Sequence, residues 1–256
     1  MSFSYTPIAQ FEKTSFTATA QTGNAFTHDI YTLGKGAPIV IVQELPGIGK
    51  ETLRLADKFV AQGFQVILPH LFGPLEQISM AGNLFRVFCM RKEFHLFKSN
   101  QSSPIVDWLK ALCRKVKQEN GVKGVGVIGM CLTGNFAISL MGDDSVLAAV
   151  SSQPSMPFFK QKALHMSDAE ITEIKGNIDE TATMLAYRFE KDTLCTADKF
   201  QCIQHVFNEG EKERVKMKTL PGKGHSVLTL DFVDKEGHPT HDALQEVIQY
   251  FSKQLK

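Results

Sequence analysis

Paired cysteines are missing from this chain. Its five cysteines, Cys89, Cys113, Cys131, Cys195 and Cys202, are odd in number, and no CxxC pair or zinc-like Cys/His spacing occurs among them. That argues against a disulfide framework, a dithiol redox centre and a metal site. An excess of charge is missing too, since 28 basic residues face 27 acidic ones with no long basic run. Nucleic acid and anionic membrane are therefore poor partners. No apolar run approaches the ~20 residues of a membrane span. The opening "MSFSYTPIAQFEKTSFTATA" lacks the basic region and apolar core of a secretory signal. Internal repeats, low-complexity tracts and a convincing linker are absent as well. These absences lead to the expectation of a reduced, soluble, cytoplasmic protein with one domain over residues 1–256.

What is present is apolar sequence arranged in alternating periods. At 43% hydrophobic and 21% charged, 256 residues can bury a core without metals or disulfides. A buried strand is predicted at 37–45, and further strands at 65–69, 122–129, 146–153, 183–189 and 214–220. Helices are predicted at 50–64, 103–120, 133–142, 197–209 and 240–255. In the first of these helices the apolar positions are Leu53, Ala56, Phe59 and Val60, and Gly63 ends it. Strands alternating with helices mean a mostly parallel sheet covered on both faces, an α/β fold. The β-like alternation in residues 1–35 suits antiparallel edge strands, and the irregular segment 70–102 suits a cap or active-site wall.

Chemistry gathers at strand ends. "GVKGVGVIGMCLTGNFAISLM" (121–141) runs from a strand through Gly129, Cys131 and Gly134 into a helix. This is the pattern of a nucleophile elbow, whose small flanking residues keep the turn tight while its side chain projects above the sheet. The following helix aims its free N–H groups and positive dipole end at the same point. A free cysteine is otherwise a small buried hydrophobe, so the partners decide. An acid and then a histidine should follow in chain order. Asp192 lies just past the strand "TMLAYRF", with Glu190 and Asp198 as competing carboxylates, and His225 lies just past "RVKMKTL". His70, after "QVILP", could line a pocket, and the remaining histidines read as structural or surface residues. Glu44 ends another apolar strand. It is either a carboxylate satisfied by the turn "LPGIG" or a charge set beside Cys131.

Four stretches together, "VIVQELPGIGKETLRLADKFVAQGFQVILPHLFG", "GVGVIGMCLTG", "EKDTL" and "GKGHS", resemble the dienelactone hydrolase family. The resemblance runs from about residue 35 to the C-terminus and is weakest at 75–105 and 154–182. It implies an α/β-hydrolase fold with Cys131 as nucleophile, His225 as general base and Asp192 as its orienting acid. It further implies that Glu44 pairs with the resting thiol until substrate displaces it. The backbone N–H groups of Leu45 and Leu132 would form the oxyanion hole. The implied reaction is hydrolysis of a small carboxylic ester or lactone through an acyl-thioester, with no cofactor. Cysteine suits this because a thiol ionises far more readily than a serine hydroxyl.

Two positions depart from the family. Thr133 replaces a glycine that is usual in this elbow, and "HSVLTL" lacks the arginine that binds a substrate carboxylate in dienelactone-degrading members. Arg86 or Arg91 is the alternative source of that cation. A thioesterase- or peptidase-like acyl hydrolase and a non-catalytic small-molecule-binding protein on the same fold are the rival readings. The chain is a monomer or a homodimer on either reading.

Overall fold

The apolar runs become strands of one sheet. In the computed structural model, which describes residues 4–79, 82, 103–155, 164, 166–210 and 212–256, they alternate with helices. The first half holds β1 (Glu12–Thr19), β2 (Ala25–Leu33), β3 (Ala37–Val42), α1 (Lys50–Ala61), β4 (Phe64–His70) and α2 (Pro104–Asn120). The second half holds β5 (Val125–Met130), α3 (Leu132–Leu140), β6 (Val146–Ser152), α4 (Asp168–Glu180), β7 (Met184–Phe189), α5 (Ala197–Phe207), β8 (Val215–Leu220) and α6 (Pro239–Leu255).

The strands lie in the order β1-β2-β4-β3-β5-β6-β7-β8. β1 and β2 are the expected antiparallel edge, and every pairing from β4 to β8 is parallel. Alternate residues of each strand face opposite layers. Ile39 and Ile41 pack with α1 and α6, whereas Val40 and Val42 pack with α2, α3, α4 and α5. Strands buried on both faces explain why these segments read as continuous apolar runs. The parallel order sets the carboxyl ends of β3, β5, β6, β7 and β8 side by side along one edge, where open α/β sheets carry their chemistry.

Three details differ from the sequence reading. β3 stops at Val42, because the Gln43 side chain turns to hold the loop after β4, donating to the Phe72 carbonyl (3.0 Å) and accepting from the Leu71 amide (2.9 Å). α1 ends at Ala61, since Gly63 takes a left-handed φ of 76° and the chain enters β4 at once. Helix α4 was not anticipated; only Ile174 and Ile178 of it are buried. Most of the cap reading, together with Arg86 and Arg91, lies outside the described residues.

Candidate active site

Cys131 separates β5 from α3 and is the N-cap of that helix, with φ 57° and ψ −122°. A non-glycine residue there is strained by roughly 1–3 kcal/mol and persists only when its surroundings impose it. Here they do. A Cβ on Gly129 would collide with the Thr133 carbonyl, and one on Gly134 would lie 2.9 Å from Pro154 Cα. Both glycines let the helix and the next strand's exit close around the turn. Thr133, the departure from glycine, has a structural reason. Its Oγ1 accepts the Met130 amide (3.0 Å) and directs its proton to the carbonyls of Met130 (2.9 Å) and Val42 (3.1 Å). The threonine thus ties the elbow to the neighbouring strand β3.

His225 and Asp192 meet across the ends of β8 and β7. Asp192 Oδ2 is 2.7 Å from His225 Nδ1, while its Oδ1 accepts the amides of Leu194 (2.8 Å) and Cys195 (3.0 Å). The competing carboxylates are elsewhere: Glu190 is exposed, and Asp198 is exposed in the first turn of α5. Burial alone would lower the His225 pKa. The hydrogen bond that the ring donates to Asp192 and the interaction with Cys131 outweigh it and push the imidazole up to about 10. Although Cys131 is near enough to contribute, no hydrogen-bond partner meets the buried Nε2 of His225 among the described residues. The thiol sulfur instead lies 3.2 Å from Ser155 Oγ.

Glu44 is buried at the end of β3, but its partners are neither backbone amides nor the thiol. Ser226 Oγ donates to its Oε2 (2.9 Å) and Thr229 Oγ1 donates to its Oε1. Burial pushes the carboxyl above the usual range, against the two hydroxyls and the nearby charge of His225. The thiol–glutamate pairing implied by the resemblance is therefore replaced by a carboxyl that holds the histidine loop. Leu45 follows Glu44, and Leu132 is the first residue of α3, whose opening amides have no partner within the helix. Val42 pairs with Gly129 across β3 and β5, so Leu45 and Leu132 stand three residues past matched positions.

A model of the dienelactone hydrolase family matches residues 29–255. The chain belongs to the dienelactone hydrolase family. The match supports a hydrolase of the α/β fold and runs from the middle of β2 to the end of α6. No curated protein matches the chain significantly. Among solved structures, a candidate dienelactone hydrolase from Klebsiella pneumoniae subsp. pneumoniae MGH 78578 is similar with a TM-score of 0.67 at 15% identity, covering 94% of this chain and 99% of that one. A dienelactone hydrolase-like promiscuous phosphotriesterase from metagenomic libraries gives 0.66 at 13%, covering 95% and 99%. A cold-adapted esterase from an Arctic intertidal metagenomic library gives 0.62 at 13%, covering 99% and 100%. At such identities the likeness shows the fold.

Sequence reasoning missed several residues that build the site. Asp231 Oδ2 accepts the amides of His225 (2.8 Å) and Ser226 (2.9 Å), fixing the histidine's backbone. Arg188 is buried on β7 and brackets the Asp192 turn, donating to the carbonyls of Cys195 (2.9 Å) and Glu190 (3.1 Å). A buried arginine in an apolar strand next to the candidate acid was a usable signal. Ser155, Ser226 and Thr229 gave none. His70, on β4, is bonded to the Gly73 carbonyl (2.7 Å).

Proposed function

We propose that this member of the dienelactone hydrolase family hydrolyses carboxylic esters or lactones with Cys131 as nucleophile. What carries the reading is one conjunction: a strained, left-handed cysteine at the start of α3 within electrostatic reach of a histidine bonded to a buried aspartate. A small hydrophobe would not hold that backbone or have that neighbour. His225 takes the thiol proton, and Sγ adds to the carbonyl carbon. The resulting oxyanion is received by the N–H groups of Leu45 and Leu132. Collapse breaks the carbon–oxygen bond, and the imidazolium protonates the departing alkoxide, which stays tethered in a lactone. A pKa pushed up to about 10 suits His225 to that acid step. Water then attacks the thioester, giving its proton to His225, and expulsion of the thiolate releases the acid.

Glu44 serves this reaction by securing the histidine loop through Ser226 and Thr229. Those two hydroxyls stand in the stretch where dienelactone-degrading members place an arginine, so an uncharged acyl group is the expected substrate. Loss of one side of a buried charge pair costs about 2–5 kcal/mol, or about 30- to 5,000-fold in affinity. The esterases among the structural neighbours support an ester substrate. That all described strands join one sheet supports a single domain. No described helix is long and apolar enough to cross a membrane.

A panel of aryl esters and lactones, each with its free-acid counterpart, tests the proposal. Turnover should favour neutral compounds and vanish in a folded Cys131→Ala variant. Unchanged turnover in that variant would overturn the assignment of the nucleophile. A large preference for free acids would show that a cation binds the substrate after all.

A further inference from the structure

Ser155 lies on the segment that leaves β6, outside the residues that the reaction above uses. It is almost wholly buried, and its hydroxyl is 3.2 Å from the Cys131 sulfur. The contact is built and not incidental. Ser155 N–H donates to the Cys131 carbonyl (3.0 Å), and Asn135 Nδ2 donates to the Ser155 carbonyl (3.0 Å) and to the Leu132 carbonyl (3.2 Å). Cys131 N–H in turn donates to the Ser152 carbonyl (3.1 Å), and Ser151 Oγ donates to the Gly134 carbonyl (2.9 Å). Between these ties Gln153 takes a left-handed φ of 38°, which bends the chain so that Pro154 lies against Gly134. Residues 151–155 therefore strap the elbow from above, and the strap's last described hydroxyl meets the sulfur.

We propose that Ser155 donates a hydrogen bond to the Cys131 sulfur and stabilises it as thiolate, making Ser155 a further catalytic residue. The inference rests on Cys131 being the nucleophile. The direction follows from the proton inventory. The thiol proton has an acceptor in His225 Nε2, which meets no other partner among the described residues. Once it has moved, the sulfur has only lone pairs and cannot donate, so the Ser155 hydroxyl is the donor of the 3.2 Å contact, alongside the imidazolium N–H. The bond is strongest when sulfur is charged, before attack and again as the thioester breaks down with thiolate leaving. It weakens while sulfur is bonded to the acyl carbon. Among the described residues, the other titratable groups around the sulfur are His225, backed by Asp192, from the loop after β8, and Cys195 from the turn after β7; Glu44 acts on His225.

The test is the pH dependence of iodoacetamide alkylation at Cys131, located by peptide mass spectrometry, in the wild type, Ser155→Ala and Ser155→Thr. Ser155→Ala keeps both backbone bonds of the residue, and thermal melting checks its fold. Its alkylation midpoint should rise by about one pH unit, equivalent to ~1.4 kcal/mol. Its kcat should fall about tenfold with KM little changed, and Ser155→Thr, which retains the hydroxyl, should recover most of both. A strap that only supports the backbone would lower melting temperature and rate without moving the midpoint. An unchanged or lowered midpoint, with Cys131 still labelled, would overturn the role of Ser155 alone. Failure to label Cys131 in the wild type would overturn both this inference and the nucleophile.

Discussion

His225 makes stability depend on pH at the level of one residue. Its imidazole gains a proton more readily in the folded chain, pushed up to about 10, than at its ordinary value of 6.5. The stabilising contribution is therefore complete below about pH 6.5 and is lost as pH rises toward 10. Thermal melting of the wild type should fall across that window, and His225→Gln should flatten the dependence. A parallel decline in the variant would assign the effect to other groups. Glu44 allows a second prediction, because both of its oxygens are engaged by hydroxyls. Glu44→Ala should cost about 1–3 kcal/mol for each hydroxyl left without its acceptor, measured by chemical denaturation. Glu44→Gln should shift alkylation of Cys131 less than Ser155→Ala does, since the thiol lies against Ser155 and Glu44 reaches it only through His225. A marked acceleration would restore the pairing of thiol with glutamate. Cys131, Asp192 and His225 were legible because each follows an apolar strand. The hydroxyl partners were not, because serine and threonine carry no periodic signal. Their contacts also reach 24 positions along the chain for Ser155, 182 for Ser226 and 185 for Thr229.

At the scale of elements, the elbow is a joint between β5, α3 and β3, and Thr133 is the pin. Thr133→Val keeps the shape of the side chain but leaves the buried Met130 amide without its acceptor and the Val42 carbonyl without its donor. The expected cost is about 1–3 kcal/mol, with kcat reduced because Cys131 loses the turn that aims it. Stability within ~0.5 kcal/mol of wild type would show the hydroxyl to be dispensable. Strands β3 to β7 could be read from their apolar runs, as each is buried on at least one face, whereas β8 buries only Val215 and was read from its alternation. Helix α4 could not, because Ile174 and Ile178 give it too narrow an apolar stripe. A local signal was nevertheless there: Ser167 and Glu170 form a capping box, Ser167 Oγ accepting the Glu170 amide at 3.3 Å. The periodicity test weighs the middle of a segment, and here the information sat at its start.

On the scale of the whole molecule, the candidate site draws on the ends of five neighbouring strands. At ~4.8 Å between strands, the end of β3 is roughly 19 Å from that of β8 across the sheet. The loop after β8 spans this interval, touching Asp192 beyond β7, Gln153 beyond β6 and Glu44 beyond β3. Closing a contact across 182 positions carries an entropy cost of about 4–5 kcal/mol plus a constant. Chains of this length fold through intermediates, so the sheet and its helices should assemble before that crossing is made. After dilution from denaturant, far-ultraviolet circular dichroism should recover first and ester hydrolysis later. Simultaneous recovery would mean that the loop docks with the sheet. The crossing thus acts as a clock: β8 and its loop emerge well after the elbow during synthesis, and the thiol, made earlier, stays uncommitted until the histidine arrives.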